Sequence, residues 1–335
     1  MARIVLLSGA RKNAGDHFIV ASTSKLFRDA GFDVIRWTAE QSRQSFTAQQ
    51  LEVINASDCL VIPGGPCICN GVFDFYGLDL DAVRVPVVAW GVGLGDIEKD
   101  PDAYSLTLKD GIVDALKQMV IVTRDKVTQR ELQSKGVTST FVGCSTWFHN
   151  DVDEISFRSE EPATVVFSSG APFIRWSRLN HHVLSYLLKR FPVSKIQCLF
   201  NHGIFGEDED LILCCRQHGV EIVEVAGSFE RMLSVCRNSD LHIGFRVHSH
   251  IASLIAGTKS ILIKTDIRGK GMSEALQSPC DIEAPEIAKQ IDGAIEKCLG
   301  HDYSVVVDTI QQQHKVAQQA IGEFHGSIVC PRQQF

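Results

Sequence analysis

The stretch Ser239-Asp-Leu-His-Ile-Gly-Phe-Arg-Val-His-Ser-His250 leads into the apolar run Ile251-Ala-Ser-Leu-Ile-Ala-Gly257. The pattern is a strand ending at Gly244, a turn holding Arg246 and His248, and a helix starting behind them. A helix start leaves backbone amides unpaired and carries the positive end of the helix dipole, so the amides near Ser249 suit an anion. Arg246 adds a planar fork for phosphate or carboxylate. His248 adds an imidazole that can give or take a proton near neutral pH. The bland alternative pairs Arg246 with an acid and leaves His248 or His250 as a helix cap. His242, inside the strand, reads as a core histidine.

Other turns carry related chemistry. Thr265-Asp-Ile-Arg-Gly-Lys-Gly271 sets Arg268 and Lys270 beside Asp266, just after Lys264. Read as a loop, its glycines would let backbone amides close over a phosphate, although a solvated surface loop explains the pattern almost as well. Near the start, Asn13-Ala-Gly15-Asp16 enters the first helix. Asn13 or Asp16 could cap that helix; in a cleft, the same groups could orient a sugar hydroxyl or take its proton. Pro63-Gly64-Gly65-Pro66 and Gly91-Val-Gly-Leu-Gly95 read as two further loops of close backbone approach. The dinucleotide fingerprint, the Walker sequence and the Gly-x-Ser-x-Gly elbow do not occur. The 11 cysteines include no Cys-x-x-Cys pair, and the spacings of Cys67 with Cys69 and Cys214 with Cys215 do not suit zinc. They read as packed thiols, and no metal site is expected.

These turns need elements to hold them. A chain of 335 residues, 44 % apolar and 22 % charged, can build about two domains with real cores. The net charge of −7 argues against non-specific nucleic-acid binding, which needs a basic surface. The sequence has no membrane-length apolar run and no signal-peptide pattern, so a cytoplasmic protein is expected. Short β-branched runs at Ile4–Leu7, Val34–Trp37, Cys59–Ile62, Val87–Trp90, Val120–Val122 and Thr140–Val142 alternate with helix-like segments such as Gly15–Ala30 and Lys126–Lys135. The acidic, weakly periodic stretch 151–162 interrupts the alternation and reads as a linker. Strands then resume at Thr164–Phe167, Ile196–Phe200, Glu221–Val225, Leu241–Ile243 and Ser260–Lys264. Helices are expected at Leu179–Arg190, Asp208–His218, Ser228–Arg237, His248–Ala256 and Glu286–Leu299, with a last one over roughly Tyr303–Gly322. The expected fold class is α/β, with two doubly wound Rossmann-like domains facing a central cleft. The domains are 1–150 and 163–301, with 302–335 as a terminal helix and tail.

Five blocks, in order, resemble the polysaccharide pyruvyl transferases. They are Asn13-Ala-Gly-Asp16, Val61-Ile-Pro-Gly-Gly65, Pro86-Val-Val-Ala-Trp-Gly-Val-Gly93, Val122-Thr-Arg-Asp125 and the Arg246-Val-His248 block with Ala256-Gly257 behind it. The resemblance implies a GT-B-like architecture and transfer of pyruvate from phosphoenolpyruvate to a sugar, usually as a cyclic ketal on two hydroxyls. Where many members have Tyr-Asp-Pro-Lys, this chain has Thr265-Asp-Ile-Arg268, and Gly64-Gly-Pro66 replaces a commoner third glycine.

On that resemblance, phosphoenolpyruvate would meet His248 as general acid and Arg246 as anion clamp. Asp16 would orient or deprotonate an acceptor hydroxyl. Arg268, Lys270 and the amides near Ser249 would add positive charge, and Asn13, Gly15, Gly64, Gly65 and Asp266 would complete the binding surface. The first half of the chain would take the acceptor and the second the donor. No cofactor beyond the donor is required. The acceptor would be a sugar or glycan precursor, and a lipid-linked one would bring the protein to the inner face of a membrane. Two other readings stay open: a GT-B-type glycosyltransferase using a nucleotide-activated sugar, and a catalytically silent binding protein of the same fold.

Overall fold

The computed structural model describes all residues except 9–11, 39–46, 70–71, 74–78, 96–109, 152–153, 159–160, 171–176 and 330–335. Part of the expected linker therefore lies outside the described residues. The first sheet contains β1 (Arg3–Ser8), β2 (Asp33–Thr38), β3 (Cys59–Cys69), β4 (Val72–Phe73), β5 (Val87–Leu94), β6 (Val120–Thr123) and β7 (Thr140–Phe141). Six of these run parallel in the order β2-β1-β3-β5-β6-β7, and β4 pairs antiparallel with β3. The second sheet contains β8 (Thr164–Ser168), β9 (Lys195–Phe200), β10 (Glu221–Glu224), β11 (Leu241–Gly244), β12 (Lys259–Lys264) and β13 (Ile282–Glu283). They are all parallel, in the order β10-β9-β8-β11-β12-β13. Parallel sheets need both faces covered. Accordingly Ile4, Val5, Leu6 and Leu7 on β1 are fully buried although they alternate in direction.

The helices are α1 (Ala14–Asp29), α2 (Ala48–Asn55), α3 (Asp110–Lys117), α4 (Lys126–Ser134), α5 (Asn180–Arg190), α6 (Glu209–Gln217), α7 (Phe229–Arg237), α8 (Val247–Ile255), α9 (Ile267–Leu276), α10 (Ile287–Gly300) and α11 (Ser304–Val329). Every strand expected from the β-branched runs is present. Three helices, α2, α3 and α9, were not expected. The two glycine turns of the first sheet are also different: β3 continues through Gly64 and Gly65 to Cys69, and β5 continues to Leu94. Their glycines allow the strands themselves to touch. A Cβ on Gly64 would lie 1.8 Å from the backbone oxygen of Gly91.

The halves are packed directly on each other. Phe18 of α1 stacks on Phe229 of α7 with centroids 5.5 Å apart. The Ala14 amide donates to the Asn201 carbonyl at 3.0 Å, and the Gly227 amide donates to the Lys12 carbonyl at 2.7 Å. One apolar cluster runs without a break through both halves. Helix α11 begins against the second half, where Gln277 Nε2 donates to Thr309 Oγ1 at 3.1 Å. It ends on the first, with Phe324 against the rings of Phe27 and Phe32. Among the described residues, no helix is long and apolar enough to cross a membrane.

Candidate active site

In each sheet the strand order reverses at one place, between β1 and β3 and between β8 and β11. Ligands of doubly wound sheets bind outside the carboxyl ends of the strands at such points. A cavity of about 200 Å³ lies there, between the two halves. Asn13 and Asp16 reach it from beyond β1, Arg124 from β6, Asn201 and His202 from β9, Phe245 to His248 from β11, and Ile263, Thr265, Asp266, Arg268 and Gly269 from β12.

Arg246 is the residue before α8, and its Nε donates to the Ser169 carbonyl at 2.8 Å. Among the described residues no carboxylate lies within ion-pair distance of it. Burial, then the nearby Arg268, pulls its pKa down to about 9. Part of its surface remains open, but that surface looks into the cavity. His248 stands two residues further on. Its Nε2 has no hydrogen-bond partner among the described residues. Burial, then the charges of Arg124, Arg268 and Arg246 with His202 among them, pushes its pKa down to about 3, so the empty site holds a neutral imidazole. Gly15 of α1 lies against this ring: a Cβ there would be 2.2 Å from His248 Nδ1. A glycine is what lets the first helix dock onto the histidine.

Asn13 caps α1. Its Oδ1 accepts from the Gly15 amide at 3.1 Å, and its Nδ2 donates to Asp16 Oδ1 at 3.0 Å. Asp16 is thereby free of capping duty and faces the cavity. Burial raises its pKa, against the opposing pull of Asn13 and of the nearby arginines. A carboxylate so placed is a stronger proton acceptor than one in water.

The expected phosphate loop is instead the start of α9. Asp266 caps this helix, accepting from the amides of Arg268 at 2.9 Å and Gly269 at 3.4 Å. It also binds the Arg268 guanidinium through two nitrogens. Arg268 therefore enters the cavity already matched to a carboxylate. The glycines serve packing and not loop closure: a Cβ on Gly271 would lie 2.8 Å from Asp125 Cγ in the other half. Lys270 is exposed on this helix and does not line the cavity. Ser249 is fully buried and bonded through Oγ to the Asn201 amide at 2.9 Å. Gly64 and Gly65 belong to β3 and do not line the cavity either.

Among the lining residues not assigned from sequence are Arg124, Asn201 and His202. Arg124 was visible only as part of the strand-ending Arg-Asp block. Its side chain is 1 % exposed and sits 3.5 Å from Asp125. Asn201 and His202 follow β9 before Gly203, a strand-end turn that the sequence reading passed over. Burial, then Arg246 and Arg268, takes the His202 pKa down to about 3. No group of three or more potential metal ligands occurs among the described residues, and the eight cysteines with described side chains are free thiols.

The family model for polysaccharide pyruvyl transferases matches residues 13–267, a span that holds every residue around the cavity except Arg268 and Gly269. The chain belongs to the polysaccharide pyruvyl transferase family. Among curated proteins none matches its sequence. Solved structures share the fold at low identity. The UDP-bound MnaA of S. aureus is 9 % identical with a TM-score of 0.63, covering 98 % of this chain and 97 % of its own. The UDP-N-acetylglucosamine 2-epimerase of Rickettsia bellii is 12 % identical with a TM-score of 0.61, covering 99 % of each chain. The Methanocaldococcus jannaschii UDP-GlcNAc 2-epimerase in complex with UDP-GlcNAc and UDP is 11 % identical with a TM-score of 0.56, covering 90 % of this chain and 94 % of its own. The pyruvyl transferase chain thus has the GT-B fold.

Proposed function

We propose that this pyruvyl transferase moves the pyruvate unit of phosphoenolpyruvate onto two hydroxyls of a sugar as a cyclic ketal, releasing phosphate. The observation that carries the reading is Arg246, a guanidinium set into the cavity wall with no carboxylate in ion-pair range among the described residues. Burial outweighs the pull of Asp208, Asp16 and Asp266, so a charge held there without a direct partner is costly unless an anion meets it. Phosphoenolpyruvate brings a carboxylate and a phosphate. The cavity is smaller than the ~300–1,000 Å³ of sites that hold drug-sized ligands. That favours a compact donor over a nucleotide-activated sugar.

The proton balance needs only the two acceptor hydroxyls. One proton ends on the donor methylene, which becomes a methyl group, and the other on the released phosphate. There is no net oxidation or reduction. Asp16, its basicity raised by burial, takes the first hydroxyl proton as the oxygen bonds to the enol carbon. His248 delivers a proton to the methylene. Without an anion beside it, His248 is neutral, first because it is buried and then because cations surround it. A bound trianion reverses the local sign and raises its proton affinity, so the acid is charged only when the donor is present. Arg246, with Arg124 and Arg268 beside it, stabilises the charge on the departing phosphate. The carbon–oxygen bond to phosphate then breaks with its electron pair on oxygen, and the second hydroxyl closes the ring.

The test is to incubate the protein with phosphoenolpyruvate and p-nitrophenyl glycosides of galactose, mannose and N-acetylglucosamine, following phosphate release. A ketal methyl singlet in the proton NMR spectrum of a product is the expected result. Thermal stabilisation by nucleotide sugars with none by phosphoenolpyruvate would overturn the reading.

A further inference from the structure

Below the Arg246 turn lies a set of buried polar side chains that the proposed reaction does not use. His242 on β11 and His250 on α8 are both fully buried. Each places Nδ1 2.7 Å from one and the same hydroxyl, Ser260 Oγ on β12. The other nitrogen of His242, Nε2, lies 2.8 Å from Ser168 Oγ at the end of β8. His250 Nε2 and Asp281 Oδ2 are without hydrogen-bond partners among the described residues. Asp281 accepts from the Leu262 amide at 2.8 Å through its other oxygen, and its charge is felt at His250.

Hydrogen counting constrains this chain. Burial keeps both imidazoles neutral, so each carries one N–H. Ser260 has one proton to give. If it donates to one Nδ1, the other Nδ1 must donate to it. The two histidines therefore hold opposite tautomers, and the protons run in a single direction from Ser168 to His250 or back. Any other arrangement leaves a buried proton or a buried lone pair without a partner at Ser260, which is costly in a core. Apolar side chains would fill the same space without that constraint. What the polar chain adds is direction and fixed geometry.

The elements it ties together are those that build the site. The Phe245 amide donates to the Ser168 carbonyl at 3.1 Å, and the next carbonyl, Ser169, holds Arg246 Nε. A Cβ on Gly244 would lie 2.1 Å from Ser168 Oγ, so β8 and β11 meet without slack. His250 is two residues beyond His248. The shared Ser260 hydroxyl thus pins the strand before the turn and the helix after it to one point. We propose that Ser168, His242, Ser260 and His250 are positioning residues, a proton-ordered chain that fixes the angle between β11 and α8 and so the aim of Arg246 and His248 into the anion pocket.

This inference rests on the reading of the pocket as an anion site, and the two are separated by measuring phosphoenolpyruvate and inorganic phosphate binding calorimetrically. Wild type that binds neither overturns both. With wild type binding, Ser260→Ala protein shown to be folded by near-UV circular dichroism is expected to bind each anion about tenfold or more weakly. Ser260→Thr, which keeps the hydroxyl, is expected to return most of the affinity. Folded Ser260→Ala with wild-type affinity overturns the positioning role alone. Should that variant not fold, Ser168→Ala at the outer end of the chain carries the same comparison. Independently, ¹⁵N NMR of the wild-type imidazoles is expected to show opposite tautomers for His242 and His250, and identical tautomers would overturn the ordered chain.

Discussion

Replacing Gly15 by alanine tests the docking of α1 onto the catalytic turn. The added Cβ would lie 2.2 Å from His248 Nδ1, 2.7 Å from Cγ and 2.9 Å from the histidine's own Cβ. Ordinary contacts begin near 3.5 Å, so the ring must recede by about 1.3 Å. Rotation about the side-chain bonds does not relieve the clash, because the root of the side chain is also too close. Either α8 moves or the seam between the halves opens. Overpacking of this kind costs about 1–3 kcal/mol of stability. A displacement of that size at a reacting group costs on the order of 10²-fold in rate. The assay is phosphate release from phosphoenolpyruvate, with a thermal melt on the same sample. Gly293→Ala in α10 is the control, since a Cβ there meets nothing within 4 Å; it should stabilise by roughly 0.5–1 kcal/mol and leave the rate unchanged. A Gly15→Ala enzyme with wild-type turnover and melting temperature would refute the contact.

Four further outcomes follow from the site. Arg246→Met should raise the melting temperature of the ligand-free protein by removing a desolvated charge with no direct carboxylate partner among the described residues, while calorimetry detects no phosphoenolpyruvate binding. His248→Ala should slow phosphate release by about 10²–10⁴-fold, the range for loss of a general acid. His202 and His248 titrate near 3 when folded and near 6.5 when unfolded, so the unfolded chain binds more protons between those values. Stability should therefore be intact above pH 6.5 and fall as the pH is lowered toward 3, by up to about 1.4 kcal/mol per pH unit for each of these two partly buried imidazoles; chemical denaturation at pH 7 and pH 5 measures this. Asp266→Ala should cost about 0.5–2 kcal/mol through loss of the α9 cap, read from urea unfolding.

The strands were legible because buried parallel strands are continuous β-branched runs, and each run became a strand. Helix α9 was not, because Arg-Gly-Lys-Gly reads as a loop. Its glycines are in a helix for the sake of Lys264 and Asp125, neighbours that only the tertiary fold supplies. Helix α2 had a readable start: Thr47 and Gln50 form a capping box around Ala48–Asn55. The site divides the same way. Arg246, His248, Asp16, Asn13, Asp266 and Arg268 gather in the cavity because each follows a strand end. Lys270 fell outside because the turn of a helix, not of a loop, decides where it points. Arg124 was hidden because its approach to His248 depends on how two sheets face each other, and His202 because its approach to Arg246 depends on the strand order of the second sheet; no local pattern encodes either.

Helix α11 has a mechanical consequence. At about 1.5 Å per residue its 26 residues reach about 39 Å, far enough to lie across both lobes as a splint. The polypeptide therefore passes between the lobes twice, once after β7 and once along this splint. Any separation of the halves must therefore bend or unseat this helix, because Gln277 holds its start to one half and Phe324 its end to the other.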